Sequence, residues 1–294
     1  MKTKVKYIIP TVVFGLAVCS LADEATLPSG TQSSQEQDQI ELFSQHAQRF
    51  HAFGLVESFT WKEFDDSGAK LLEENGLLFG VGIKGELPVG EQAEFDFLAT
   101  LYGGNIDYDG HTMGGVPVKA TTGYVGMRTE WMISYLVDVG PDDGGELILK
   151  PGAGLGLRAW KRSLDNKGSF LGENIGSMGY IENWMTMYAK VGIGAELKFS
   201  TDCDLSTSLE ARLPLFNRNV ADMSDHGGPS DITIEPGRSV SLYWETGLRY
   251  KNFSGALYLE TLEFSRSAPD SKYGMFLQPR SSAFIAGVRA GMTF

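Results

Sequence analysis

From Phe53 to the C-terminus, apolar and polar residues alternate with a period of two, broken at intervals by stretches rich in Gly, Asp, Ser and Asn. Such alternation puts successive side chains on opposite faces of a β-strand. The last segment, Ser282 to Phe294, shows it most clearly. Phe284, Ala286, Val288, Ala290, Met292 and Phe294 share one face; Gly287, Arg289, Gly291 and Thr293 share the other, with Ile285 the exception. Nine earlier segments repeat the pattern. Their apolar faces are led by Phe59 and Trp61, by Phe79, Val81 and Ile83, by Phe95, Phe97 and Leu101, and by Val125, Met127, Trp131 and Ile133. The later ones are led by Leu147, Leu155 and Leu157, by Met185, Val191 and Ile193, by Leu205, Leu209 and Leu213, by Val240, Leu242, Trp244 and Leu248, and by Phe253, Leu257 and Leu259. The links alternate too. Short turns fall at Pro88–Gln92, Gly140–Gly145, Ser200–Asp204 and Lys251–Asn252, and long connections at Asp65–Gly76, Gly104–Gly123, Lys161–Gly179, Asn217–Gly237 and Ser265–Ser281.

A water-soluble sheet with one apolar face needs a second layer to cover it. Here the polar faces carry glycines and charges of both signs, and the segments match the ~9–11 residues that a tilted membrane strand needs. Trp61, Trp131, Trp184, Trp244 and Phe294 fall toward segment ends, where aromatic girdles meet the membrane interface. The pattern predicts an all-β fold: a transmembrane antiparallel up-and-down β-barrel of about ten strands, with a short N-terminal extension. In these features the chain resembles bacterial outer-membrane β-barrel proteins of the small porin-like or surface kind. The resemblance implies an outer-membrane location amid lipid and lipopolysaccharide. It also implies a C-terminal Phe294 that serves as assembly signal, read by periplasmic chaperones and the barrel-assembly machinery.

The N-terminus has a different composition. Lys2, Lys4 and Lys6 precede an apolar run from Tyr7 to Val18, and Ser20-Leu21-Ala22 places small residues at a cleavage site, so residues 1–22 read as a signal peptide. Residues 23–52 read as a periplasmic extension, either a tether or a helix over Gln35 to Phe50, and residues 53–294 as the barrel. With the leader and its Cys19 removed, Cys203 is left alone and no intrachain disulfide can form. The net charge of −12 disfavours a nucleic-acid partner.

On the faces read as luminal, Lys62, Lys84, Arg128, Lys150, Arg158, Lys190, Arg212, Arg249 and Arg289 meet Glu86, Glu94, Asp96, Glu130, Glu196, Glu210, Glu245 and Glu260. A small barrel is barely wider than its interior side chains, and near-balanced charges there pair and narrow the passage. Arg289 has Glu245 and Glu260 as candidate partners. Glu57 falls on the lipid-facing parity of its strand and is assigned to the periplasmic rim. Gly80-Val81-Gly82-Ile83-Lys84-Gly85 matches a dinucleotide fingerprint but opens no helix, so no cofactor is expected; nor is a metal.

Asp107-Tyr108-Asp109 in the second long connection and Asp225-His226 in the fourth are similar in layout to the omptins, outer-membrane aspartate/histidine proteases. That resemblance implies Asp107 and Asp109 as a carboxylate pair and Asp225 with His226 as the base, although the latter two are adjacent where the family has one residue between them. Lipid-modifying barrel enzymes need a His and a Ser on barrel strands, whereas His46, His51, His111 and His226 all read as tether or loop. The expectation is a non-enzymatic barrel, structural or surface-interacting or a narrow porin-like channel, with omptin-like proteolysis as the alternative and the extracellular ligand unspecified.

Overall fold

The computed structural model describes residues 48–111, 116–140, 146–164, 168–170, 173–175, 179–200, 202–224 and 229–294. Ten long strands follow in order: β1 (Arg49–Phe64), β2 (Lys70–Pro88), β3 (Ala93–His111), β4 (Pro117–Tyr135), β5 (Glu146–Leu164), β6 (Ile181–Ser200), β7 (Cys203–Asp222), β8 (Ser241–Tyr250), β9 (Phe253–Ser265) and β10 (Arg280–Thr293). Each pairs antiparallel with its sequence neighbours, and β10 pairs with β1 from His51–Thr293 to Phe64–Arg280. The sheet closes on itself and leaves no open edge. Phe294 continues the closure, exchanging backbone hydrogen bonds with Phe50 at 2.8 and 3.2 Å.

The outer wall is apolar. Val81, Leu101 and Val125 are each more than 60% exposed, at 62%, 62% and 69%. At the short-turn end, Tyr135, Phe199, Tyr250, Phe253 and Phe294 stand exposed in a ring, the arrangement of an interfacial girdle. With no second layer over this face, lipid is the medium that covers it.

Strand β1 departs from the expected parity. Phe53, Leu55, Glu57, Phe59 and Trp61 point inward and are buried, while Val56 and the small residues Ala52, Gly54 and Ser58 face out. The cause lies inside the barrel, where Phe59 and Trp61 join Tyr124, Trp160, Trp184 and Phe264 in one aromatic cluster. The apolar parity of β1 therefore records an internal core and not a lipid contact. Glu57 belongs to the lumen, hydrogen-bonded by the Tyr258 hydroxyl at 2.7 Å, and Lys62 moves to the half-exposed outer face. Trp184 is likewise internal, so of the tryptophans named for the girdle only Trp131 and Trp244 face outward.

The strands are also longer than expected. β2 to β5 have 19 residues each and β6 and β7 have 20, about twice what a tilted membrane crossing needs. On β2 the outward apolar run stops at Leu77, and on β4 at Val125; beyond them stand Asn75 and Glu73, Thr121 and Lys119. The surplus therefore rises past the membrane on the long-connection side. The first long connection shrinks to a turn in which Asp65 caps the backbone of Ser67 and Ala69 at 2.9 and 2.8 Å. The wall begins at Arg49, four residues before Phe53, so the helix considered over Gln35 to Phe50 does not reach its end. Residues 1–47, which include the expected signal peptide and most of the expected extension, lie outside the described residues.

Four aromatic rings cross the lumen face onto a glycine directly opposite in register: Phe53 on Gly82, Tyr102 on Gly126, Tyr188 on Gly156 and Tyr258 on Gly287. A Cβ at any of these glycines would clash with the ring, 2.1–2.5 Å from its nearest atom. The luminal glycines thus make room for aromatic rings lying flat across the sheet.

The two tryptophan environments predict different losses. Trp61→Ala removes a buried core ring and should cost about 3–5 kcal/mol, whereas Trp244→Ala on the lipid face should cost well under half of that. Equilibrium urea unfolding in lipid vesicles measures both, and equal losses would contradict the inward setting of β1.

Candidate functional site

The lumen is filled by stacked layers of side chains. Nearest the short turns, Arg49 opens β1 and reaches Glu196 on β6 at 3.1 Å and Asp204 on β7 at 3.5 Å. Lys150 meets Glu94 at 2.9 Å and Glu196 at 2.5 Å, Lys84 meets Glu86 at 2.7 Å, and Arg289 and Arg249 pair with Glu245 and Asp204. Two adjoining cavities of about 130 and 70 Å³ lie among these groups, with Asp96 lining the larger.

Above them sits the hub. Glu260 on β9 accepts Arg128 of β4 at 3.1 Å, Arg158 of β5 at 2.5 Å and Arg212 of β7. In a ring of ten strands β4 lies diametrically opposite β9, so the Arg128–Glu260 pair crosses the full width of the lumen. Glu130 accepts Lys190 and Arg212 at 3.0 Å each and the Tyr188 hydroxyl at 2.6 Å, and Glu210 accepts Lys190 at 3.1 Å. The Arg212 guanidinium lies 4.1 Å over the Tyr243 ring. Arg128, Arg212 and Glu260 are at most 2% exposed.

The aromatic layer follows. Trp160 and Trp184 stack at 5.2 Å with 8° between planes, and Trp61 meets Trp184 edge-on at 5.3 Å. The cavity left in this layer is about 10 Å³, room for about one water molecule. Over it Arg162 bonds Glu74 at 2.7 Å and Glu182 at 3.0 Å, and Thr122 and Tyr124 also donate to Glu74.

No family model matches this chain, and no curated protein sequence does. Among solved structures, the outer-membrane protease OmpT from Escherichia coli superposes with a TM-score of 0.53 at 10% identity, over 86% of this chain and 97% of that one. The fold is that of a bacterial outer-membrane β-barrel. The translocator domain of the autotransporter NalP from Neisseria meningitidis covers 87% and 94% of the two chains at a TM-score of 0.40 and 14% identity.

Within this outer-membrane barrel, Arg128, Glu130, Lys150, Arg158, Lys190, Glu210, Arg212, Glu245, Arg249, Glu260 and Arg289 all stand on inward positions. Arg289 pairs with Glu245, while Glu260 is taken by the three arginines of the hub. The carboxylate pair of the protease layout does not enter the mouth. Asp107 and Asp109 occupy exposed outward positions on β3, between the inward Ile106, Tyr108 and Gly110, and Asp109 meets Lys119 at 3.8 Å. Asp225 and His226 lie outside the described residues. His51, read as tether, is a strand residue with Nδ1 2.9 Å from the Thr293 hydroxyl, both buried at the β1–β10 closure. His111 ends β3, with Nδ1 3.3 Å from the Leu71 carbonyl. In the sequence Glu74 falls within the Asp65–Gly76 connection and Arg162 within Lys161–Gly179, and nothing marks Glu182 as their partner. The alternation of Leu72, Glu74 and Leu78 inward against Leu71, Glu73 and Leu77 outward was the available signal.

Removing the hub anion takes from the buried Arg158 its carboxylate partner and leaves Arg128 and Arg212 to share Glu130 and Glu210. Glu260→Gln should destabilise the folded barrel by about 3–5 kcal/mol, read from urea unfolding in micelles; a change below about 1 kcal/mol would mean that the hub does not hold the wall together.

Proposed function

We propose that the protein is a non-enzymatic surface barrel whose lumen serves as a packed scaffold and not as a channel. The observation that carries this reading is the Glu260 hub, in which one carboxylate draws arginines from β4, β5 and β7 across the whole lumen. Arg128, Arg212 and Glu260 are almost fully buried, as a packed lumen requires, and the buried aromatic layer above adds a second barrier. The extended upper wall and the segment between β9 and β10 then form the surface that meets partners outside the cell. Tyr273 and Met275, 39% and 70% exposed, stand at the tip of that segment.

OmpT is a protease, but in this chain the outward Asp107 and Asp109 argue against a shared catalytic pair. The exposed belt fits outer-membrane lipid, and lipopolysaccharide is the expected neighbour of the upper wall. The β1–β10 closure ending at Phe294 fits a last strand received by periplasmic chaperones and the barrel-assembly machinery.

Planar-bilayer recording tests the closed state. The purified barrel should show no stepwise conductance, and Arg128→Ala together with Arg212→Ala should introduce it. Reproducible steps from the unaltered protein would favour the narrow channel instead.

A further inference from the structure

A hollow of about 730 Å³ interrupts the lipid-facing wall over β1 and its neighbours. It follows from the inward setting of β1. With Phe53, Leu55 and Phe59 turned into the lumen, the strand presents Ala52, Gly54 and Ser58 to the membrane, with Val56 among them. The adjoining strands add small residues at the same level: Gly255 of β9, Ala290 of β10 and Gly54 of β1 stand in one row across the sheet. The space in front of them is open. A Cβ at Gly54 would approach only the Gly80 carbonyl oxygen, at 3.9 Å, and one at Gly255 only the Arg289 carbonyl oxygen, at 3.7 Å.

Large apolar side chains bank the hollow. Val81 and Ile83 of β2 stand opposite Gly54 and Ala52, and Leu101 and Met127 continue that bank over β3 and β4. Met292 of β10 flanks Ala52 from the other side. Toward the long connections the wall rises again where Val56 and Val288 pair across the β1–β10 seam. Toward the short turns the rings of Phe50 and Phe97 meet at 6.3 Å. The hollow therefore lies in the half of the belt nearer the short turns. Those turns face the periplasm in outer-membrane barrels, so the adjoining leaflet is the one built of glycerophospholipid.

We propose that this hollow is a binding site for the tails of one glycerophospholipid of the periplasmic leaflet. None of the described residues that line it is charged, which suits hydrocarbon. An apolar cavity of about 150 Å³ takes one benzene, so about 730 Å³ holds roughly thirty carbons. The two tails of a diacyl lipid supply about that many. Hydrocarbon gains no hydrophobic free energy by leaving bulk lipid, so the preference comes from dispersion contacts. A tail in the hollow makes them with its floor and both banks, whereas the convex wall elsewhere touches a tail from one side. A second barrel is convex as well, and would bridge the hollow without filling it. The site depends on the outer wall alone and stands whether or not the lumen conducts.

Photo-crosslinking of the full folded chain in vesicles tests it. The probe is phosphatidylethanolamine with a diazirine midway along one tail, diluted into unlabelled phosphatidylethanolamine and phosphatidylglycerol. Adducts are mapped by peptide mass spectrometry at Val81–Ile83 and at Val191–Ile193, an outward stretch of β6. Val81 and Ile193 each lie seven residues before the short-turn end of their strands, at Pro88 and Ser200. Adducts at Val81–Ile83 should exceed those at Val191–Ile193 severalfold. Gly54→Leu and Ala290→Leu, each at an exposed outward position, should fill the hollow and bring the two yields level. Equal yields in the unaltered protein, or an excess that persists in a folded variant, would overturn the site. Fewer adducts at Val81–Ile83, rising as the protein is diluted in lipid, would assign the hollow to a second copy instead. Should neither variant fold, the comparison within the unaltered protein decides alone.

Discussion

An ionised side chain inside a barrel this narrow has almost no bulk water around it, so it must find an opposite charge within reach or impose a cost of several kcal/mol. The arrangement of the lumen answers that requirement. Arg128, Arg158, Arg212 and Lys190 converge on Glu260, Glu130 and Glu210, and the Tyr258 hydroxyl donates to Glu57 nearby in the lumen. Because the partners come from opposite sides of the ring, pairing them also ties the ring across its diameter.

Glycine is what lets these groups converge. Tyr188 lies over Gly156 and delivers its hydroxyl to Glu130, and Tyr258 lies over Gly287 and delivers its own to Glu57. Register therefore carries consequences for electrostatics. A slip of one residue would put each ring against a neighbour with a Cβ and turn the lumen charges toward lipid. The wall and the charge network specify each other.

Much of this was legible in the chain. Period-two alternation found all ten strands and the outward face of nine, because lipid demands an uninterrupted apolar surface wherever the wall crosses the membrane. It failed on β1 for a physical reason: Phe59 and Trp61 alternate as lipid-facing residues do, yet they fill an aromatic layer inside. Alternation reports that one face is dry without saying which medium keeps it dry. The upper third of the strands was missed because both faces there are polar or mixed, so Glu74 and Arg162 looked like loop residues. Long-range placement was least legible. Charge balance foretold that the lumen pairs internally, and Arg289 with Glu245 could be guessed, but the choice of Glu260 as hub depends on strand tilt and stagger that no single segment records. The carboxylates Asp107 and Asp109 were similarly ambiguous until β3 was seen to run past them with Tyr108 pointing in.

The central claim is that the hub and the aromatic layer divide the lumen into two compartments. Sided thiol labelling tests it most directly, using Ser206→Cys, which lines both cavities on the short-turn side, in a Cys203→Ser background reconstituted into oriented vesicles. A small charged, membrane-impermeant thiol reagent should modify this position from the short-turn side and leave it unmodified when added from the long-connection side. Modification at comparable rates from both sides would contradict a divided lumen.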